Sequence, residues 1–296
     1  MKFSGWITAC IPHYGCQRYV RRAVESVLSQ SYPWMRVVVI NDGDPRPPWR
    51  ELASITDPRL FRFQLPQNRG CFFCHEVTRL ATPDPFFMMQ DADDWAAPHR
   101  AVSLLSNLLN ERSDLAISAQ PQFREREDGT PYPVSVRWGR ITDGHTADKF
   151  VVQKTLTEQF RYRVPQVGLI RTSCLRDIGG YHGGFRVGWD VLLTNLVLMT
   201  GTVSWTPEPL YYRLLRTESL THSVQTGVES EYAAAVSKCL RQLYGECYAQ
   251  YQLFRKALID RDELCYYVRQ ICGRYVTPED RMALEAHARN LRRLMA

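Results

Sequence analysis

The residues best suited to chemistry are three carboxylates, Asp91, Asp93 and Asp94, which come one residue after the short apolar run 86–89. Such a run predicts a buried strand, and three acids at its end repel one another unless a cation lies between them. Mg²⁺ and Mn²⁺ take oxygen ligands and often share their coordination shell with substrate phosphates. Asp-x-Asp at a strand end is therefore the expected form of a site that holds a nucleoside diphosphate through a metal. The same spacing also occurs in ordinary turns and helix caps.

Composition limits the classes of protein that this chain can belong to. With 296 residues, 45% hydrophobic and 23% charged, it is long enough for one large folded domain, or a domain with an appendage. The formal charge of +6 is spread along the chain without a dense basic block, so we expect no nucleic-acid partner. No apolar run approaches the ~18–20 residues of a membrane helix. The start of the chain also lacks the long apolar region of a signal peptide. We therefore expect no integral membrane segment and a cytoplasmic location.

The nine cysteines are irregularly spaced, and only Cys71 and Cys74 form a Cys-x-x-Cys pair. We interpret them as reduced thiols rather than a zinc or redox centre. The chain also lacks a phosphate loop of the Gly-x-x-x-x-Gly-Lys-Ser/Thr type and a Gly-x-Gly-x-x-Gly motif after its first strand. These absences argue against a P-loop NTPase and against a standard dinucleotide oxidoreductase.

Strand-like and helix-like segments alternate in the first part of the chain. We predict strands over 7–11, 37–40, 60–65, 86–89 and 115–119, and helices over about 17–30, 74–81 and 99–109. This alternation predicts a parallel sheet covered by helices on both faces, in which ligands bind beyond the carboxyl ends of the strands. Three polar strand ends then meet at one cleft, namely 12–14, 41–44 and 91–94.

The rest of the chain has a different character. Residues 121–165 are expected to form loops over the cleft, with a hairpin turn at Asp128-Gly129. From about Glu229 the pattern is helical to the end, and tyrosines recur along it. We interpret this part as a helical appendage packed on the main domain, with a homodimer interface as the alternative. The predicted domains are 1–228 and 229–296.

Seven motifs follow one another over about residues 5–222. They are Ile7–Tyr14, Ala23–Pro33, Val39–Gly43, Asn68-Arg69-Gly70, Asp91–Asp94, the pair Asp177–Tyr181 with Val187–Asp190, and Pro209–Arg213 with Ser219-Leu220-Thr221. In type, order and spacing they resemble the family 2 glycosyltransferases of the GT-A fold. The resemblance implies an α/β fold with a mostly parallel sheet flanked by helices. It also implies an enzyme that moves one sugar from a nucleoside-diphosphate donor, UDP- or dTDP-linked, to a small-molecule or saccharide acceptor.

The resemblance also implies roles for particular residues. Pro12, Tyr14 and Asp42 would hold the nucleoside, and Asp91 the ribose or a metal-bound water. Asp93 would ligate Mn²⁺ or Mg²⁺, which assists departure of the diphosphate.

Asp190 would be the general base that deprotonates the acceptor hydroxyl as it attacks, with inversion of the anomeric centre. Further residues implied in donor, acceptor or metal binding are His75 and Arg213 for the donor, Trp189 and Trp138 for the acceptor, and Asp91 and His222 as additional metal ligands.

Each of these residues also has an ordinary structural interpretation. Asp42 could simply form the turn before Gly43, and Asp190 could be the N-cap of the helix that follows it. Trp189 is equally compatible with a core position. The chain also departs from the family pattern. His75-Glu76 stands where an Arg-Asn pair is usual, and Trp189-Asp190 stands where Glu-Asp is usual.

Two further functions stay open at this level. The substituted pair at 75–76 keeps open a catalytically silent GT-A-like subunit that binds a nucleotide sugar or a protein partner. A sugar-1-phosphate nucleotidyltransferase also uses an α/β sheet and carboxylate-bound Mg²⁺. It would normally carry a glycine-rich basic loop after the first strand, and residues 12–16 do not have that composition.

Overall fold

The computed structural model describes residues 5–137, 156–161, 164–216 and 230–296. Its strands are β1 Ile7–His13, β2 Met35–Asn41, β3 Leu60–Gln64, β4 Phe86–Met89, β5 Trp95–Ala96, β6 Leu115–Glu125, β7 Pro131–Arg137, β8 Leu169–Arg171, β9 Val203–Pro209 and β10 Tyr211–Leu214. Its helices are α1 Gln17–Leu28, α2 Cys71–Ala81, α3 Arg100–Asn110, α4 Thr172–Ile178, α5 Trp189–Thr200, α6 Glu231–Arg255, α7 Arg261–Cys272 and α8 Pro278–Met295.

One sheet organises the α/β part, with the strand order β3-β2-β1-β4-β8-β6-β10-β5, and with β7 and β9 pairing beside β6. Strands β3, β2, β1 and β4 are parallel neighbours, whereas β8 runs antiparallel between β4 and β6. The β-branched run at 37–40 is buried throughout, as expected for a central strand covered on both faces. This mixed α/β fold with flanking helices confirms the predicted fold class.

The register brings the strand ends to one edge of the sheet. His13 of β1 lies opposite Asn41 of β2, and Cys10 lies opposite Met89 of β4. The segments that follow these strands therefore begin side by side. This is the arrangement predicted from the order of the elements.

The prediction that residues 121–165 form loops is partly wrong. Strand β6 continues to Glu125 and forms an antiparallel hairpin with β7. The predicted turn at Asp128-Gly129 is confirmed, because Gly129 adopts a φ of +85° and the Asp128 carboxylate accepts a hydrogen bond from the Thr130 backbone N–H at 2.8 Å. Residues 138–155 lie outside the described ranges.

Helices α6, α7 and α8 confirm the helical character predicted from about residue 229. Their inner side chains, including Leu240, Leu264 and Leu291, belong to the same buried cluster as Phe73 of α2 and Leu192 of α5. Helix α8 packs directly against α2. Across the described residues, none of the helices is both long and apolar enough to cross a membrane.

Candidate active site at the strand ends

The ends of β1 and β2 are joined by buried polar contacts. The Asn41 side-chain oxygen lies 3.0 Å from Nδ1 of His13, and the Asn41 amide donates to the Asp44 carbonyl at 2.9 Å. The Asp44 carboxylate accepts from the Gly15 backbone N–H at 2.6 Å and from the Gln17 amide at 2.9 Å. These bonds to its ionised form hold the pKa of Asp44 below its usual value, although burial opposes the effect. The sequence reasoning did not single out Asp44, which fixes the loop at 14–17 beside the loop at 42–44.

Asp42 is almost completely buried and holds the next loop in place. Its two oxygens accept the backbone N–H groups of Arg69 at 2.7 Å and Gly70 at 2.8 Å. Burial raises the pKa of Asp42 to about 6, while the two N–H groups act in the opposite direction. The neighbouring Gly43 has a φ of +71°, so the turn interpretation also describes this position.

The loop that Asp42 holds is also tied to the last helix. The Arg69 guanidinium donates to Oδ1 of Asp280 at 3.0 Å and to Oε1 of Glu279 at 3.4 Å, both in the first turn of α8. Carboxylates at a helix N-terminus are favoured by the helix dipole as well. A chain of contacts therefore runs from Asp42 through Arg69 to the C-terminal helices.

Beyond β4, the three carboxylates have different surroundings. Asp91 accepts the Tyr211 hydroxyl at 3.1 Å, and that hydroxyl in turn accepts the Asp91 backbone N–H at 3.2 Å. Burial and the nearby Asp93 charge raise the pKa of Asp91 to about 6, and Arg213 opposes this. Asp94 is buried and accepts the Leu214 backbone N–H at 2.7 Å. Burial raises its pKa well above the ordinary value.

Asp93 forms an ion pair that the sequence reasoning missed. Two guanidinium nitrogens of Arg216, Nε and Nη2, lie 2.7 and 2.6 Å from the same carboxylate oxygen of Asp93. Arg216 also lies 3.3 Å from Sγ of Cys16 and 5.0 Å from the centre of the Tyr19 ring. The only signal in the sequence was that Arg216 follows Arg213 by three residues. That spacing does not reveal its partner.

The chemistry of these acids fits a divalent cation. Asp91 and Asp93 offer hard oxygen ligands. Burial, and after it the Asp93 charge, raise the pKa of Asp91, and a bound cation would offset both effects. Over the described ranges, however, no group of three or more His, Cys, Asp or Glu side chains is arranged as a complete metal site. Water and ligand phosphates would have to complete the coordination shell. His222 lies outside the described residues.

Asp190 lies in the first turn of α5 and is not the N-cap of that helix, so the N-cap interpretation is wrong. The N-cap residue is Gly188, with a φ of +73°, and no side-chain hydrogen bond caps the helix there. Burial raises the pKa of Asp190, while the charges of Arg137 and Arg213 oppose that rise. The positive charge of Arg213 lowers the pKa of both Asp91 and Asp190. It therefore links the acidic cluster electrostatically to α5, the helix that carries the candidate base.

The remaining candidates divide into exposed and buried side chains. Tyr14 is 45% exposed at the end of β1, and Pro12 is partly buried within that strand. His75 is completely buried between the rings of Phe87 and Tyr181, and burial lowers its pKa to about 3. With no exposed surface, a neutral His75 cannot touch a bound donor in this conformation.

Trp189 likewise lies in the core rather than facing an acceptor. It is 1% exposed, is stacked on Phe185, and is packed so closely on Gly183 that a Cβ there would lie 2.1 Å from the indole ring. Trp138, the other predicted acceptor contact, lies outside the described residues.

The comparisons with known proteins agree with this geometry. The family model described as "Glycosyl transferase family 2" matches residues 8–179, more than half of the chain. The chain therefore belongs to glycosyl transferase family 2. The resemblance predicted from its motifs is confirmed.

Similar individual proteins are more distant. A curated relative, the glycosyltransferase GlyA of Streptococcus pneumoniae serotype 4, is 24% identical over 123 residues, which are 41% of this chain but only 18% of GlyA. The crystal structure of Staphylococcus aureus TarS matches 95% of this chain and 55% of its own, with a TM-score of 0.58 and 14% identity. The crystal structure of TarS 1–349 in complex with UDP-GlcNAc matches 98% of this chain and 90% of its own, with a TM-score of 0.54 and 13% identity. Because the two TarS structures are only 13–14% identical to this chain, they show a shared fold alone.

Proposed function

We propose that this protein transfers a single sugar from a nucleoside-diphosphate donor to an acceptor hydroxyl with inversion, assisted by a divalent metal ion. The observation that carries the proposal is the arrangement of charges at the strand ends. There the positive charge of Arg213 favours the ionised forms of both Asp91, in the acidic cluster, and Asp190. UDP is the first donor nucleotide to test, because TarS has been crystallised with UDP and with UDP-GlcNAc. A dTDP-sugar is the next candidate.

On the donor side, Pro12, Tyr14 and Asp42 form the proposed nucleoside site. Each Asp42 oxygen has a second lone pair after accepting its backbone N–H, so the carboxylate is able to accept a hydrogen bond from a base. Tyr14 offers an exposed ring for stacking. Arg213 is the proposed diphosphate contact, because a guanidinium suits phosphate oxygens. His75 is not retained in this site.

Asp93, with Asp91 and His222, would hold Mn²⁺ or Mg²⁺. When bound, the ion supplies Lewis-acid stabilisation of charge on the leaving diphosphate. In the structure described here, Arg216 supplies the positive charge beside Asp93. A metal ion that binds the oxygen contacted by Arg216 would have to displace that guanidinium.

Asp190 is the proposed general base. Its carboxylate would accept the acceptor's hydroxyl proton as that oxygen attacks the anomeric carbon. A pKa raised by burial brings a carboxylate closer to the operating pH, which improves it as a base. Trp189 and Trp138 remain acceptor candidates, although Trp189 would have to leave the core first.

The test compares Asp190→Asn with the wild type and with Asp177→Asn, a control aspartate in α4 that is paired with Arg261. Nucleoside diphosphate released from UDP- and dTDP-sugars, with water or added saccharides as acceptors, reports turnover. Melting temperature with nucleotide and Mn²⁺ reports binding. We expect Asp190→Asn to lose about 10²-fold or more in turnover while keeping its nucleotide-dependent stabilisation. Turnover within a few-fold of the control would refute the base assignment.

One observation supports the catalytically silent subunit as a second candidate. Because Arg216 already neutralises Asp93, the structure also suits a protein that binds its nucleotide without metal. Nucleotide-dependent stabilisation that is insensitive to EDTA, together with no turnover of any donor, would favour that reading.

We also propose the division into a catalytic domain at 1–228 and a helical extension at 229–296. Exposed tyrosines of the extension, Tyr232 on α6 and Tyr266 and Tyr267 on α7, are candidates for a homodimer contact. Sedimentation of the wild type and of Tyr266→Ser would test that contact.

A further inference from the structure

A second concave site lies away from the strand ends, where the C-terminal helices meet the α/β part. It is a cavity of about 560 Å³ between α2, the connection from α4 to α5, and the α7–α8 pair. Arg269, Arg274 and Arg281 line it from the helical side, and His182 and Trp189 line it from the other side. In the described residues, none of Asp42, Asp91, Asp93 and Arg213 borders this space.

Two buried side chains at the wall of the cavity lack hydrogen bonds. Among the described residues, the indole Nε1–H of Trp189 has no hydrogen-bond partner, although the residue is 1% exposed. Neither ring nitrogen of His182, which is 7% exposed, is hydrogen-bonded, and Nε2 lies 3.6 Å from an oxygen of Asp280. Leaving such groups unpaired costs about 1–3 kcal/mol each. Because Asp280 lies beside His182, the Trp189 N–H is the clearer case: a buried donor beside an open cavity, with no hydrogen-bond partner in the described residues, indicates that a ligand completes it.

The charge in the cavity is predominantly positive. Arg269 donates to the Asp177 backbone carbonyl and Arg281 to the Gly273 backbone carbonyl, contacts that leave the charge of each guanidinium uncompensated. Of these three arginines, Arg274 alone is paired with an acid of the described part of the chain, Glu246.

Two acids also line the cavity, and each has its own partner. Glu76 forms an ion pair with Arg79 and accepts the Tyr181 backbone N–H at 2.8 Å. Glu285, on the exposed side, lies 3.8 Å from Arg289. The two uncompensated guanidinium groups, Arg269 and Arg281, therefore set the sign of the potential.

We propose that this cavity is a binding site for a phosphate group, carried by inorganic phosphate or by a small phosphate monoester. Arginine is the side chain best matched to phosphate, because its planar N–H groups bond two oxygens at once. The Trp189 indole N–H is a further donor to an oxyanion. The site is separate from the nucleotide site proposed above. An occupant would contact Trp189, the residue immediately before Asp190 in the first turn of α5.

The experiment follows the indole N–H signals of ¹⁵N-tryptophan-labelled protein during titration with inorganic phosphate, against a chloride titration of equal ionic strength. The Trp189 signal is assigned as the one missing from Trp189→Phe. We expect it to move saturably with phosphate only. Arg281→Gln and Arg269→Gln should each weaken this binding by about tenfold, the effect of losing one charge-assisted hydrogen bond. Arg293→Gln, which removes the same charge from an exposed position of α8 outside the cavity, should not.

Other outcomes overturn the proposal. It fails if the Trp189 signal does not respond, or if it responds equally to chloride. It also fails if the response survives Arg281→Gln but is lost in Arg213→Gln, since the anion would then lie at the strand ends.

A second measurement serves if Trp189→Phe does not fold. Phosphate should raise the melting temperature of the wild type and of Arg293→Gln more than that of Arg281→Gln. Equal rises in all three would overturn the proposal. Neither readout involves nucleotide or turnover, so its failure is distinct from failure of the proposed enzyme function.

Discussion

Replacing Arg216 with glutamine should make the protein bind Mn²⁺ more tightly when no nucleotide is present. In the structure two guanidinium nitrogens contact one oxygen of Asp93, at 2.7 and 2.6 Å. A cation that binds this oxygen must displace the guanidinium, and a cation on the other oxygen of Asp93 is repelled by the Arg216 charge. Glutamine keeps an amide of similar reach but removes the charge.

The size of the effect follows from how buried the pair is. The side chains of Arg216 and Asp93 are 14% and 18% exposed, so the pair is worth more than the 0–1 kcal/mol or so of a surface ion pair. A hydrogen bond to a charged group contributes about 1.5–3 kcal/mol. Taking the lower end for a partly screened contact, release of Asp93 should strengthen Mn²⁺ binding by about tenfold.

The assay is titration of the protein with Mn²⁺, with the electron paramagnetic resonance signal of unbound Mn²⁺ as the readout. Arg18→Gln is the matched control, because Arg18 is 62% exposed on α1 and pairs with Glu125 rather than with the acidic cluster. Asp93→Asn should abolish the gain when combined with Arg216→Gln.

If Arg216→Gln binds Mn²⁺ no better than Arg18→Gln does, the ion pair does not compete with the metal. If the gain persists without the Asp93 carboxylate, the metal uses other ligands. Either result would refute the reasoning from the Asp93–Arg216 contact.

Three further predictions follow from single contacts. Burial raises the pKa of Asp190 above its ordinary value of 3.8, and a general base must be deprotonated to act. The value of kcat/KM should therefore fall as the pH is lowered, with a midpoint above pH 3.8. A profile that stays flat down to that pH contradicts this prediction. Asp280→Asn weakens the tie to Arg69 and should raise the donor KM a few-fold without changing kcat, whereas a lower kcat at constant KM would place Asp280 in a different role. Gly43→Ala puts a side chain at a φ of +71°, with its Cβ 2.3 Å from a loop backbone carbon, and should lower the free energy of unfolding by about 2 kcal/mol or more; unchanged urea denaturation would contradict that.

Elements with strong periodicity were predictable from the sequence. Strand β4 has the predicted bounds, and α1 begins at the predicted residue, because their apolar patterns are specific. Helix α2 begins at Cys71, three residues before the predicted start. Its beginning depends on Asp42 accepting the Arg69 and Gly70 backbone N–H groups, a contact between residues far apart in sequence. The short strands β8 and β10 were missed for a similar reason, since three or four residues show no usable period.

In the site, residue type predicted the chemistry better than it predicted the partners. The sequence located the acidic cluster, but only the fold shows that Asp94 receives the Leu214 N–H and Asp93 receives Arg216. His75 and Trp189 were candidates because they stand at positions that the resemblance implies in ligand binding, yet both are buried. Helix α2 is buried on nearly all sides around His75, so hydrophobic periodicity could not have distinguished a cleft-facing position from a core position.

The C-terminal helices are bound into the donor side of the proposed site rather than only resting on it. Asp42 holds the loop at 68–70 by its backbone, and Arg69 of that loop is held in turn by the first turn of α8. The same helices contribute Leu240, Leu264 and Leu291 to the core cluster that contains α5, and α5 carries Asp190. The boundary at 228/229 therefore separates two segments of the sequence whose side chains share one hydrophobic core. Shifts of α8 should reach the nucleoside loop through Arg69, and the base through the shared core.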